Sequence, residues 1–277
     1  MQFFSAFSLV KILWTLCFAS HLVLLVVLLG RDRVRRFPFF TGYMVLMSLR
    51  LLFEELLVGR LAPIPTQWVL ISMADLYVLG GIAVVIEIAR RSFPDASAKA
   101  WLIAAPLTVA VAGGSLVYWG PWPKLADLAV TSPISLLRLM YFLGQKGDLL
   151  VGLLTVILGL LVLAFGRCFK ARLRSHASLI LIGWTALGAT WLGITAYWKI
   201  LSHSIQPGIS REQYQHILTL GNHLFTANRI VLIVVALWWI VTLWFDEPGA
   251  PTAQIEAELV PQPSLPAASA EATPDQQ

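Results

Sequence analysis

An all-α membrane protein, a bundle of seven transmembrane helices, is the fold class this sequence predicts, and three observations carry the prediction. Of 277 residues, 58% are apolar and only 13% charged, against roughly 25% charged in an ordinary soluble domain. The mean hydropathy is +0.76, and apolar runs near the ~20 residues needed to cross a bilayer recur along the chain. Basic residues gather in alternate connections between those runs, as the positive-inside rule requires. These features exclude an ordinary soluble enzyme and a disordered or collagen-like chain. Two cysteines are too few to staple a secreted module of this length.

The spans run from Phe7 to Leu29, Pro38 to Val58, Trp68 to Ala89, Trp101 to Trp119, Leu149 to Gly166, Ser178 to Trp198 and His223 to Phe245. The first has no basic segment ahead of it and no small-residue cleavage site after it, so it reads as a retained helix, with the mature chain beginning at or near Met1. The second opens on Pro38, which suits a first helical position. The first, third and fifth connections hold Arg31, Arg33, Arg35, Arg36, Arg90, Arg91, Lys99, Arg167, Lys170, Arg172 and Arg174. The other three, about twice as long in all, hold only Arg60, Lys124, Arg138, Lys146, Lys199 and Arg211. The amino terminus is therefore expected outside and the carboxyl terminus in the cytoplasm. Residues Pro133 to Gly144 are too few, at about 12, to cross, and an eighth span there would put the Arg167 to Arg174 cluster outside. A short interfacial or re-entrant helix in the fourth loop is expected instead. Trp68, Trp119 and Trp122 near the outer boundary, with Trp101 and Trp244 near the inner one, form aromatic belts. Ser210 and Gln213 fit a capping box, so a helix is expected to start near Arg211 and to run into the seventh span, with a bend at Gly221 and Asn222.

Residues 1–245 thus make the bundle. Residues 246–277 carry six acids, six prolines and no lysine or arginine, a composition expected to form a disordered cytoplasmic tail. Without that tail the chain has 20 basic against 9 acidic side chains, a net +11. Topology and anionic lipid account for this excess, and nucleic acid is not needed as a partner.

Ionisable groups at bilayer depth are costly and so mark candidate sites. The second span holds Arg50, Glu54 and Glu55, the third Asp75 and Glu87, the seventh Arg229 and the first His21. Counting about 1.5 Å per residue puts Arg50, Asp75 and Arg229 at one level, roughly 9 to 13 Å below the outer surface. Glu54 lies one turn from Arg50 on the same face, and His21 sits deeper as a titratable neighbour. The expectation is an outward-facing polar pocket formed by Arg50, Glu54, Asp75, Arg229 and His21, with the arginine forks offered to an anion. The plain alternative is an ion-pair network that only fixes helix register. Glu55 is expected to be solvated, and Glu87 to pair with Arg91 four residues on.

Other patterns carry less. Trp184, Trp191 and Trp198 form a stripe suited to packing or to lining an apolar ligand site. Thr185, Ala189 and Gly193 form a small-residue strip suited to helix contact. The histidines lack the paired spacing of a haem or zinc site, and His21, His223 and Asp75 are the only set a membrane hydrolase would use. The last span has Arg229 but no lysine, which rules out a retinal Schiff base. Cys17 and Cys168 differ too much in depth for a disulfide. The sequence therefore reads as a non-enzymatic, multi-pass protein of the cell inner (plasma) membrane. It is expected to be sensor-like, without a cofactor, in contact with the lipid bilayer, a small anionic or apolar ligand and a membrane or cytoplasmic partner protein. The alternatives are a small transporter using Asp75, Glu54 and His21 as a relay and, less favoured, a metal-dependent membrane hydrolase.

Overall fold

The computed structural model describes residues 9–57, 60–93, 98–120, 122–124, 128–165, 175–203 and 210–246. The acidic tail beyond Asp246, Cys168 and the basic residues of 167–174 lie outside them. Among the described residues there are eight α-helices and no strand: α1 (Leu9–Gly30), α2 (Arg33–Arg36), α3 (Pro38–Leu57), α4 (Pro63–Ser92), α5 (Ala98–Tyr118), α6 (Pro133–Phe165), α7 (His176–His203) and α8 (Arg211–Trp244). Five of them, α1, α4, α6, α7 and α8, are long and apolar enough to cross a membrane. In α3, three charged residues, Arg50, Glu54 and Glu55, fall within 20 positions.

Every long helix exposes large apolar side chains. Leu29 is 66% exposed, Leu107 62% and Leu163 72%, and a soluble protein does not normally carry so much exposed apolar surface.

Contacts between elements close a ring in the order α1, α3, α4, α6, α7, α8 and back to α1, with α4 also touching α7. By contrast, α5 packs mainly on α6 and so stands outside the ring. The ring closes tightly where glycine removes a side chain. A methyl group at Gly147 of α6 would overlap Val78 of α4, and one at Gly159 would overlap Thr185 of α7. A methyl at Gly188 of α7 would come 3.2 Å from the Gly152 carbonyl. Close contact between apolar helices is what small residues provide inside a bilayer. The α7 strip therefore needs correcting. Thr185 is at the contact, but Ala189 is exposed and Gly193 meets nothing within 4 Å, while Gly188 takes the place expected of Ala189.

The separate interfacial helix expected over Pro133 to Gly144 is also corrected. These residues are the opening turns of α6, which runs unbroken for 33 residues, or about 50 Å. No proline interrupts it after Pro133. Gly144 and Gly147 do not end the helix because both are pressed against α4, where a side chain would not fit. The capping box forms as expected: the Ser210 side chain accepts from the Gln213 N–H at 3.2 Å, and Gln213 Oε1 accepts from the Ser210 N–H. No interruption follows at Gly221, because Trp198 of α7 fills the space where its side chain would stand.

The core at one end of the ring is aromatic. Phe40 and Tyr43 of α3, Trp184 of α7 and Trp239 of α8 pack together, with ring centroids 4.9 to 6.4 Å apart. The indole N–H of Trp239 donates to the Ile180 carbonyl at 3.2 Å. Nearby, Arg33 Nη2 and His176 Nε2 both reach the Phe245 carbonyl, at 3.2 and 3.1 Å, and tie the end of α8 to α2 and α7. A carbonyl only accepts, so His176 carries its proton on Nε2.

Candidate functional site

All six ring helices contribute to one cavity of about 270 Å³. From α1 come Trp14, Cys17 and His21, spaced at three and four residues so that they share a face. From α3 come Met47, Arg50 and Glu54 on a similar stripe, and from α8 come Asn228, Arg229 and Leu232. Tyr77 enters from α4 and Asp148 from α6, while Trp184, Leu187 and Trp191 from α7 give an apolar wall. Glu54 is exposed and stands at the rim. His21 is 1% exposed and deep.

Four of the five residues singled out by sequence, His21, Arg50, Glu54 and Arg229, line this cavity. Asp75 does not. One of its carboxylate oxygens is buried without a hydrogen-bond partner, and a methyl group at Gly144 of α6 would come 2.9 Å from it. The second acid among the lining residues is Asp148. Sequence reasoning missed it because starting the fifth span at Leu149 left Asp148 in a solvated loop. The missing signal was the absence of any proline between Ile134 and Asp148, which lets the helix run through.

The charges meet without pairing. Among the described residues no carboxylate lies within 4.0 Å of Arg50 or Arg229. A pure ion-pair network would show such contacts. The Arg50 guanidinium instead lies 5.3 Å from the centroid of the Tyr77 ring, within cation–π range. The Tyr77 ring in turn packs at 4.4 Å on Tyr43, so the cation is held over a fixed aromatic platform. His21 Nδ1 is 2.7 Å from the Cys17 carbonyl and must donate to it. In the neutral ring this leaves Nε2 as the basic nitrogen. The Cys17 thiol donates to the Arg229 carbonyl at 3.8 Å, which ties α1 to α8 beside the cavity.

The remaining expectations sort by place. Trp184 and Trp191 do line the cavity, whereas Trp198 packs on Phe225 and Gly221 of α8. His216 and His223 are exposed and outside the lining. His21, His223 and Asp75 therefore do not converge as a metal hydrolase would need, and among the described residues no group of three or more His, Cys, Asp or Glu is placed to hold a metal ion. Glu55 is exposed, as expected. Glu87 is 3.7 Å from Arg91, as expected, but its other oxygen accepts the Phe40 N–H at 2.9 Å, a role the sequence did not reveal. Compared with known proteins, the chain matches no family model, no curated protein and no solved structure.

Proposed function

We propose that this chain is a seven-span protein of the cell inner (plasma) membrane, with its amino terminus outside, its acidic tail in the cytoplasm, and a central cavity that binds a small ligand carrying an anionic group on an apolar body. The observation that carries the reading is that Arg50 and Arg229 face one cavity with no carboxylate within 4.0 Å among the described residues. Arginine stays charged at any working pH, and an uncompensated charge at membrane depth is costly. An anion between the two forks supplies the missing partner. The apolar wall of Trp184, Leu187 and Trp191 suits the rest of such a ligand. The role is that of a sensor or receptor-like binding component whose signal passes to a partner protein or to the basic inner connections.

A second reading is transport. It is favoured by the sequence of titratable groups from Glu54 at the rim through Asp148 to His21 at depth within one cavity. Binding without flux in proteoliposomes supports the first reading, and flux abolished by Asp148→Asn supports the second.

The test of the binding site is thermal unfolding of the purified full chain against a panel of small organic anions of graded apolar length. At least one is expected to raise the midpoint of wild type by several degrees, since saturation at about 100 times Kd adds about 2.7 kcal/mol. Arg50→Ala and Arg229→Ala should each lose that shift, while Asp75→Asn, outside the cavity, should keep it. If no anion separates Arg50→Ala from wild type, the reading fails.

A further inference from the structure

Away from the central cavity, a second cationic site lies where the end of α5 meets α6 and α7. The Lys146 ammonium of α6 lies 4.9 Å from the Trp122 ring and 5.7 Å from the Phe142 ring. The Lys199 ammonium of α7 lies 5.7 Å from the Trp119 ring and donates to the Trp119 carbonyl at 3.3 Å. Trp119 and Trp122, three residues apart, bring the two lysines to one corner, and among the described residues neither has a carboxylate within 4.0 Å. Aromatic faces fix where the cations stand, but they do not neutralise them. Among the described residues, Lys199 spends one N–H on the carbonyl and keeps two, and Lys146 keeps all three.

We infer that Lys146 and Lys199 together clamp the phosphate of an anionic membrane phospholipid, whose headgroup, unlike that of phosphatidylcholine, brings no cation to compete with the two ammoniums. A phosphodiester has two free anionic oxygens, one for each ammonium, and its charge relieves the repulsion between them. The surroundings favour a lipid over free phosphate. Bulky groups beside the clamp are open to the exterior, with Val117 65%, Tyr118 88% and Trp122 47% exposed. Tryptophan beside lysine is the composition of a membrane–water boundary, where acyl chains lie along apolar surface and phosphates sit level with the cations.

The experiment is thermal unfolding of the detergent-purified full chain with three probes at matched concentration: short-chain phosphatidylglycerol, short-chain phosphatidylcholine and inorganic phosphate. In wild type, phosphatidylglycerol should act at a concentration at least fivefold below phosphatidylcholine, and inorganic phosphate should give less than a third of its shift. The double variant Lys146→Gln with Lys199→Gln should lose the fivefold preference, and the double variant Lys146→Arg with Lys199→Arg should keep it. Equal response of wild type to the two lipids overturns the proposal whether or not any variant folds. An unchanged preference in the glutamine variant also overturns it, and an inorganic phosphate response equal to that of phosphatidylglycerol overturns the lipid as the source.

Discussion

Glu87 holds two helices with one carboxylate. Its residue is 6% exposed, one oxygen takes the Phe40 N–H in the first turn of α3, and the other faces Arg91 one turn along α4. The first-turn N–H groups of a helix have no partner within it, and Pro38 at the start leaves Phe40 among the donors that need one. Arg91 also lies 4.9 Å from the ring of Phe37, which is 2% exposed, so the same corner buries an aromatic ring beside the charge. Hydrogen bonds to charged groups contribute about 1.5 to 3 kcal/mol. Glu87→Ala should therefore lower unfolding stability by about 2 to 3 kcal/mol, and Glu87→Gln, which keeps an acceptor, by about 1. Denaturation of the two variants beside wild type checks this, and equal losses would remove the cap from the account. The sequence made the Arg91 pair legible because both partners lie on one helix. The Phe40 bond spans 47 positions, and no local pattern announces it.

At the scale of elements, α6 decides the site. Its length carries Asp148 into the helix and into the cavity, and its glycines let it press on α4 and α7. The long helices were legible because apolar length and the Ser210 capping box are local signals, whereas α2, within the first basic connection, was not. The start of α6 was not, since a criterion of span length discards a helix that begins outside the hydrocarbon and continues through it. Facing was legible only in part. Depth counting brought Arg50, Asp75 and Arg229 to one level, but level alone does not say which side of a helix meets the cavity, and Asp75 turned to Gly144 instead. A glycine at the contact of α6 with α7 and a glycine away from it predict opposite outcomes. Gly159→Ala puts a methyl into Thr185 and should cost about 1 to 3 kcal/mol. Gly193→Ala meets open space within a helix and should be neutral or stabilise by up to about 1 kcal/mol. Thermal unfolding of the pair checks the contact, and similar losses at both sites would contradict it.

Across the whole molecule, the ring of six helices separates two environments. Outside it, large apolar side chains are exposed on every long helix, and α5 does not reach the cavity. Inside it, charged groups from α3, α6 and α8 and the His21 imidazole of α1 converge on one space. The central claim, proposed above, is that this space is a binding cavity, and its outward orientation requires that small charged molecules reach it from the outer side. Reactivity of single cysteines in a chain with Cys17→Ser and Cys168→Ser tests it most directly, read with a charged, membrane-impermeant thiol reagent applied to the outer face of intact cells. Met47→Cys and Asn228→Cys, both in the lining, should react at least tenfold faster than Val45→Cys and Val234→Cys, whose native side chains are 41% and 59% exposed on the exterior. Equal rates at all four positions, or labelling of the lining positions only from the cytoplasmic side, would contradict it.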